Sequence, residues 1–276
     1  MIFKDFYPSP LLEQFVKFYR LRHFVMPPAA KKLPFKPYPP RPEQCLAFYP
    51  RGEETTELVP DGSKVIRPRS VISGQFTNKI NRYVCPHEFM IILVVFRPGA
   101  LHRITGIPFH ELLNCHADLE SVLPQSRQVN QRLNSCDDYC EMISIIETFL
   151  SDIVKRKPIE ERPSDEVLRL LTNTPGKYSL DWLASQACLS PRQFERKFDH
   201  YLGVNPKTFA RIVRFNESYH MRLKYPKEDW LSIAVACGYH DYQHMVRDYK
   251  EFAHTTPNML FAEEDKAPER LLGLNR

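Results

Sequence analysis

The sequence predicts an α+β chain. A small antiparallel β-barrel or sheet domain with helices comes first, and an all-α domain of two helix–turn–helix subdomains joined by a linker helix follows. Three observations predict it. Short runs rich in β-branched and aromatic residues crowd into residues 43–96, most of them separated by Pro or Gly. After Arg97-Pro98-Gly99 the apolar period changes to that of helices. Residues 164–261 then carry helix signals without strand signals, arranged as an internal repeat. A length of 276 residues fits two domains of ordinary size.

Composition bounds the class. Apolar residues make up 43% and charged residues 26%, the balance of a globular chain with buried cores. The net charge is +5, too small to announce a nucleic-acid partner by itself. The 24 Pro against 9 Gly predict stiff turns and few flexible loops. The longest apolar run, residues 89–96, is far below the roughly 20 residues of a membrane helix. The N-terminus lacks the basic-then-apolar order of a signal peptide. The seven cysteines are odd in number and include no Cys-x-x-Cys, so reduced thiols and a cytoplasmic location are expected. Cys136 and Cys140, four apart on an expected helix, are half a metal site at most; the competing reading makes them two semi-buried small residues. No metal site, cofactor or catalytic constellation is expected. The histidines His87, His102, His110 and His116 are too irregularly spaced for a metal motif, and the glycines never cluster into a phosphate loop.

Taken in order, residues 10–21 have apolar side chains at helical spacing (Leu11, Leu12, Phe15, Phe18, Tyr19) and predict a helix. The prolines 27, 28, 34, 37, 39, 40 and 42 forbid helix and disfavour a central strand, so an extended loop draped over the domain or, equally, a partly disordered one is expected. Strands are predicted at 43–49, 55–59, 64–66, 71–76, 79–84 and 89–96. The last is apolar on both faces and therefore central. Short helical pieces follow at 101–105, 108–113 and 118–123. A long helix over 137–157 has Met142, Ile145, Ile146, Phe149, Ile153 and Val154 on one stripe. That stripe suits a dimer helix or, equally, packing on the domain's own sheet. The charged, Pro-flanked stretch 155–163 marks a domain boundary. The domains expected are 1–158 for sensing or dimerisation, 159–262 for binding, and 263–276 as a frayed tail.

The repeat has a period of 51: Phe194 matches Met245, Arg196 matches Arg247, Phe198 matches Tyr249 and Pro206 matches Pro257. Leu183-Ala184 matches Ile233-Ala234 at 50, so the second copy has one extra turn residue. In copy one, Ser179 caps a helix whose inward residues are Leu180, Leu183, Ala184 and Ala187. After a turn, Ser190-Pro191-Arg192-Gln193 gives N-cap, first-position Pro and capping-box Gln. Gly203 ends that second helix as a left-handed cap. In copy two, Leu231, Ile233, Ala234 and Cys237 are expected inward, and a helix starting at His240-Asp241 buries Met245, Tyr249 and Phe252. Small residues at Ala184 and Ala234 let the paired helices cross closely. A linker helix over 207–224 spans roughly 27 Å, close enough to the roughly 34 Å between successive major grooves to serve two reading helices.

These residues carry a resemblance. Leu183-Ala184, Ser190, Phe194-x-Arg196-x-Phe198, Gly203-x-x-Pro206, Arg214-Phe215, Ile233-Ala234-x-x-Cys237-Gly238-Tyr239-x-Asp241, Met245-x-Arg247-x-Tyr249-Lys250 and Thr256-Pro257 resemble the DNA-binding domain of the AraC/XylS family of bacterial transcription regulators. The sequence departs from that family at His254, where Gly is usual, and at Met245 and Tyr249, where Phe is usual. The resemblance implies binding to double-stranded promoter DNA, usually with transcription activation and with RNA polymerase as a partner. It also implies an N-terminal domain that senses a small-molecule effector or forms a homodimer.

The expected DNA-binding residues lie on the second helix of each copy. They are Ser190, Arg192, Gln193, Glu195, Arg196 and Lys197 in copy one, and Tyr242, Gln243, His244, Val246, Arg247 and Lys250 in copy two. Arg suits the guanine edge and Gln the adenine edge. The resemblance makes Arg192, Glu195 and Arg196 base readers; His240, His244 and Lys250 suit phosphate. A competing reading pairs Arg196 and Arg247 with Glu195, Asp248 or Glu251 as structural arginines. Cations concentrate in copy one and the linker helix, which predicts that copy one contributes more of the binding energy. An alternative function makes the N-terminal half an enzyme or a cysteine alkyl acceptor, although the cysteine cluster of such proteins is absent. Another makes it a module that binds only protein.

Overall fold

In β9 (Glu88–Phe96) successive side chains enter different cores. Met90, Ile92, Val94 and Phe96 join one, and Phe89, Ile91, Leu93 and Val95 the other. This is the period of two expected of a strand covered on both faces. The computed structural model describes residues 2–25, 34–85, 87–156, 163–173 and 178–271. Among them lie β1 (Ile2–Phe6), β2 (Val16–Val25), β3 (Lys36–Tyr38), β4 (Cys45–Arg51), β5 (Glu54–Leu58), β6 (Lys64–Ile66), β7 (Ser70–Ser73), β8 (Ile80–Val84), β9 and β10 (His116–Asp118). They form two antiparallel sheets, ordered β1-β2-β9-β4-β7-β10 and β3-β8-β5-β6, rather than one closed barrel. The predicted strands between 43 and 96 are all present, and β9 is central as expected. The described part of the proline segment supplies β3. Pro37 sits there on a sheet edge, where a missing N–H costs no ladder bond.

The helix expected at 10–21 is corrected. Residues 10–15 make only tight turns, with Leu12 and Phe15 fully buried, and the chain then enters β2. The burial of Val16, Tyr19, Leu21 and Phe24, together with pairing to both β1 and β9, overrides the local helical spacing.

Helices close one face of the larger sheet. They are α1 (Ala100–Thr105), a single 3₁₀ turn at Phe109–Leu112, α2 (Leu119–Val122), α3 (Ser126–Asn134) and α4 (Tyr139–Arg156). The stripe of α4 buries Met142, Ile145, Ile146, Phe149, Leu150 and Val154 in the sheet's core, so its own domain already covers that face. Each fully buried side chain of this kind contributes roughly 1.5–3 kcal/mol. Cys136 precedes α4, so it and Cys140 do not share a helix.

The C-terminal part contains α5 (Pro163–Asn173), α6 (Leu180–Gln186), α7 (Pro191–Leu202), α8 (Pro206–Lys224), α9 (Trp230–Ala236), α10 (Tyr242–Ala253), α11 (Pro257–Glu264) and α12 (Pro268–Leu271). One core joins α5, α6, α7 and the start of α8; a second joins the rest of α8 to α9, α10 and α11. Ala184 and Ala234 are fully buried at the two helix crossings. Leu231 is corrected: it is 54% exposed, because Ile233, Ala234 and Cys237 already fill the inner face of α9. The frayed tail is corrected in part. Glu263 and Glu264 complete α11, and Ala267 is fully buried ahead of α12. Residues 272–276 lie outside the described residues, as do 157–162 of the expected boundary stretch.

The two halves meet along a polar seam. Gln44 donates to the Tyr201 carbonyl at 2.8 Å. The Lys79 amide donates to the Phe252 carbonyl at 2.7 Å, and its ammonium pairs with Glu263 at 2.6 Å. Lys36 pairs with Glu269 at 2.9 Å, and Arg103 with Asp165.

Candidate nucleic-acid interface

The first reading helix, α7, starts as the sequence predicts. The Ser190 hydroxyl accepts from the Gln193 amide at 3.3 Å, while the Gln193 side-chain oxygen accepts from the Ser190 amide at 3.1 Å. Pro191 at the first position fits because no N–H is needed there. Phe194, Phe198, Tyr201 and Leu202 turn inward, which leaves Arg192, Gln193, Glu195, Arg196 and Lys197 exposed. The cap has a chemical consequence. The Gln193 oxygen also lies 3.1 Å from the Ser190 hydroxyl, so a bidentate grip on adenine requires the capping box to open.

The second reading helix, α10, starts at Asp241, whose carboxylate accepts from the His244 amide at 2.6 Å. That backbone bond holds the Asp241 carboxyl below its ordinary range. Gln243, Arg247 and Lys250 are exposed, whereas Tyr242 and His244 are half-buried. Tyr242 packs against the second core and the His244 ring meets Tyr239 edge-on at 5.2 Å. Val246 is only 8% exposed and presents little surface to a groove. His254 closes α10 in the left-handed region at φ 54°, the conformation Gly usually supplies there.

Helix α8 places the two units on one support. A cleft of about 780 Å³ is lined by Glu195 of α7, by Lys207, Arg211 and Arg214 of α8, and by His244 and Arg247 of α10. Glu195, His244 and Arg247 are therefore brought together, while Arg192 and Lys250 stand outside the cleft.

The acids near Arg247 are already taken. Arg211 of α8 bonds both Asp248 and Glu251. Arg192, Arg196, Lys197 and Arg247 form no ion pair with any described residue. The reading of Arg247 as a structural arginine thus goes to Arg211, which the sequence did not single out. Its signal was present in the acids three apart on α10, which face α8 and need a cation.

Four of the thiols lie in settings unlike that of a nucleophile. Burial pushes both Cys45 and Cys237 up to about 11 and raises Cys115 and Cys136, the reverse of an activated cysteine. Among the described residues no cluster of three metal-ligating side chains occurs, and no helix is long and apolar enough to cross a membrane.

Two capped helix–turn–helix units on one linker helix define a DNA-binding domain. Residues 183–263 match the family described as "Helix-turn-helix domain", and residues 4–118 match a "Domain of unknown function (DUF6597)". Through this paired unit the chain is similar to the AraC-type transcription regulators. Among its relatives, the HTH-type transcriptional regulator ArgR of Pseudomonas aeruginosa is 30% identical over 91 residues, covering 33% of this chain and 27% of that one. An uncharacterized HTH-type transcriptional regulator of Haemophilus influenzae is 24% identical over 99 residues, covering 36% of this chain and 33% of its own length. The chain thus spans a third or less of each. ToxT from Vibrio cholerae aligns over 88% of this chain and 97% of its own at 10% identity and a TM-score of 0.47.

Proposed function

We propose that the protein is a sequence-specific regulator, an activator, that binds promoter DNA through α7 and α10 and is tuned by its N-terminal half. The carrying observation is the set of exposed cations on the reading helices, Arg192, Arg196, Lys197 and Arg247, left without ion pairs. Unpaired arginines at the N-terminal part of a groove-sized helix match the guanine edge and the phosphate backbone. In this reading residues 1–158 sense a small molecule or dimerise, 159–262 bind DNA, and the chain works in the cytoplasm with RNA polymerase. The seam of Gln44, Lys79 and Arg103 supports coupling between the halves. The absence of a cysteine cluster favours a sensor over an alkyl acceptor. Genome-wide footprinting of bound DNA tests it. A recurrent motif with two half-sites about one helical turn apart supports the reading; binding spread without a motif overturns it.

A further inference from the structure

Among the described residues, three that are not glycine stand in the left-handed region: Asn114 (φ 56°), Cys188 (φ 55°) and His254 (φ 54°). Glycine holds this backbone with less strain, and other residues persist there when their surroundings fix them. At Asn114 and His254 the side chain makes bonds that glycine could not. The Asn114 Oδ1 accepts from the Thr77 amide at 2.7 Å and from the Thr77 hydroxyl at 3.1 Å. His254, at the end of α10, places Nε2 3.0 Å from the Asn78 Oδ1. An amide oxygen only accepts, so Nε2 is the donor. Thr77 and Asn78 are neighbours, so two left-handed residues, one from each half of the chain, fasten one loop.

That loop belongs to two segments of the N-terminal half that run side by side. Residues 74–79 leave β7, and residues 109–115 lead into β10, which pairs with it. Beyond the strand ladder the Asn114 amide donates to the Gln75 carbonyl at 2.9 Å, and the Gly74 amide to the Cys115 carbonyl at 3.3 Å. A Cβ built at Gly74 falls 2.0 Å from the Leu112 carbonyl oxygen, so the two backbones are in contact. Each segment meets the C-terminal end of one reading helix. The first lies against α10, where the Lys79 amide donates to the Phe252 carbonyl at 2.7 Å and Asn78 takes His254. The second lies against the cap of α7, where a Cβ built at Gly203 falls 2.6 Å from the Phe109 carbonyl oxygen. A brace thus runs from the end of α7 to the end of α10 without passing through α8.

Helix α8 is the other connection. The two helix–turn–helix cores are separate and, among the described residues, share only that helix. One long helix bends, whereas two links that close a loop hold their ends at one distance. We propose that this brace, held by Asn114 and His254, fixes the separation of α7 and α10 and so sets the half-site spacing that the protein accepts in DNA. The inference rests on the DNA-binding reading given above. Asn114 and His254 are positioning residues in it, acting through the helices they hold. One base pair changes the distance between half-sites by about 3.4 Å and their relative angle by about 35°, so a rigid pair of helices accepts one spacing. Rigidity also favours affinity at that spacing, because the ordering cost is met before binding.

The test uses the full chain, the footprinted operator, and versions of that operator with the half-sites moved apart or together by one or two base pairs. His254→Gly and Asn114→Gly keep the left-handed backbone and delete the side-chain bonds, so both are expected to melt within a few degrees of the parent. Asn114→Asp keeps the acceptor oxygen and is the conservative control. The parent is expected to lose about tenfold in affinity for a change of one base pair, because helices or DNA must then distort. Each Gly variant is expected to bind the original spacing about threefold more weakly and to lose only about twofold more on the same change. Asn114→Asp is expected to keep the parent's profile. A contact that merely stabilised the fold would weaken every spacing alike. Amide exchange gives a readout without DNA: it is expected to quicken at Lys79 in His254→Gly and at Thr77 in Asn114→Gly. Unchanged exchange at both amides, or profiles of one shape in the parent and both Gly variants, overturns the proposal. Tighter binding by the variants at every spacing also overturns it, since the brace would then restrain DNA binding instead of setting its geometry. Footprinting without a recurrent motif removes the DNA-binding reading and this inference with it. A motif whose sharp spacing optimum survives in both Gly variants fails this inference alone.

Discussion

Arg211 on α8 donates to a single oxygen of the buried Asp248 on α10, from Nε at 3.1 Å and from Nη2 at 2.7 Å. The other Asp248 oxygen accepts from the Tyr239 hydroxyl at 3.1 Å, and Glu251 takes Arg211 Nη1 at 2.9 Å. One guanidinium thus fastens the linker helix to the second reading helix. Arg211→Met leaves a carboxylate 1% exposed without its cation, and stability is expected to fall by about 2–4 kcal/mol. Asp248→Asn, which keeps the shape and one acceptor, is expected to cost less. Chemical denaturation of both variants checks the order; equal losses below about 0.5 kcal/mol would show that the pair is ornamental.

Gly203 ends α7 at φ 79°, and a Cβ built there falls 2.6 Å from the Phe109 carbonyl oxygen of the N-terminal half. Gly106 has nearly the same backbone, φ 76°, with nothing within 4 Å of such a Cβ. Backbone strain alone predicts about 1 kcal/mol for Ala at either position. Gly203→Ala is expected to cost at least twice as much as Gly106→Ala, because the seam must also part. Paired thermal melts decide it, and matching losses would remove the seam from the account.

Elements with strong local signals were legible in the sequence. The capping box at Ser190, the cap at Ser179 and the internal repeat made the paired helices readable from local signals. β2 was not legible, because its pattern also fits a helix and only pairing with β1 and β9 decides between them. Leu231 left its expected place for a related reason: which flank of an amphipathic helix is covered depends on partners distant in sequence. Arg211 was invisible as a special cation, since what distinguishes it is the pair of acids across the fold.

His116, on the edge strand β10, has its pKa lowered from 6.5 to about 4 by burial and by the nearby Arg67. Its folded form is therefore neutral where the unfolded chain takes up a proton. The stability this provides is complete above pH 6.5 and drains as the pH falls toward about 4, below which both states are protonated. Unfolding free energy measured from pH 7.5 to 4.5 is expected to fall, and His116→Gln is expected to flatten part of that slope. An unchanged slope would place the acid sensitivity elsewhere.

The proposed DNA contacts are expected to separate into two kinds that respond differently to salt. Arg196 is exposed on α7 without an acid partner, which suits a base edge. Arg196→Ala is expected to weaken operator binding by about 1–3 kcal/mol and to relax specificity at one or two base pairs. Lys197→Ala is expected to weaken all sequences alike and to lower the slope of log affinity against log salt by about one. Arg247→Ala is expected to cost less than Arg196→Ala. Cations concentrate on copy one and α8, whereas the acids Asp248 and Glu251 lie beside Arg247. Gln193→Ala is a different case. Its side-chain oxygen closes the capping box, so the loss is expected mainly in stability, about 1 kcal/mol, with little change in base preference. Fluorescence anisotropy with the footprinted operator and single-base variants, at several salt concentrations, measures all four. An Arg196→Ala protein that binds as tightly as its parent at moderate salt would take the first reading helix out of the groove.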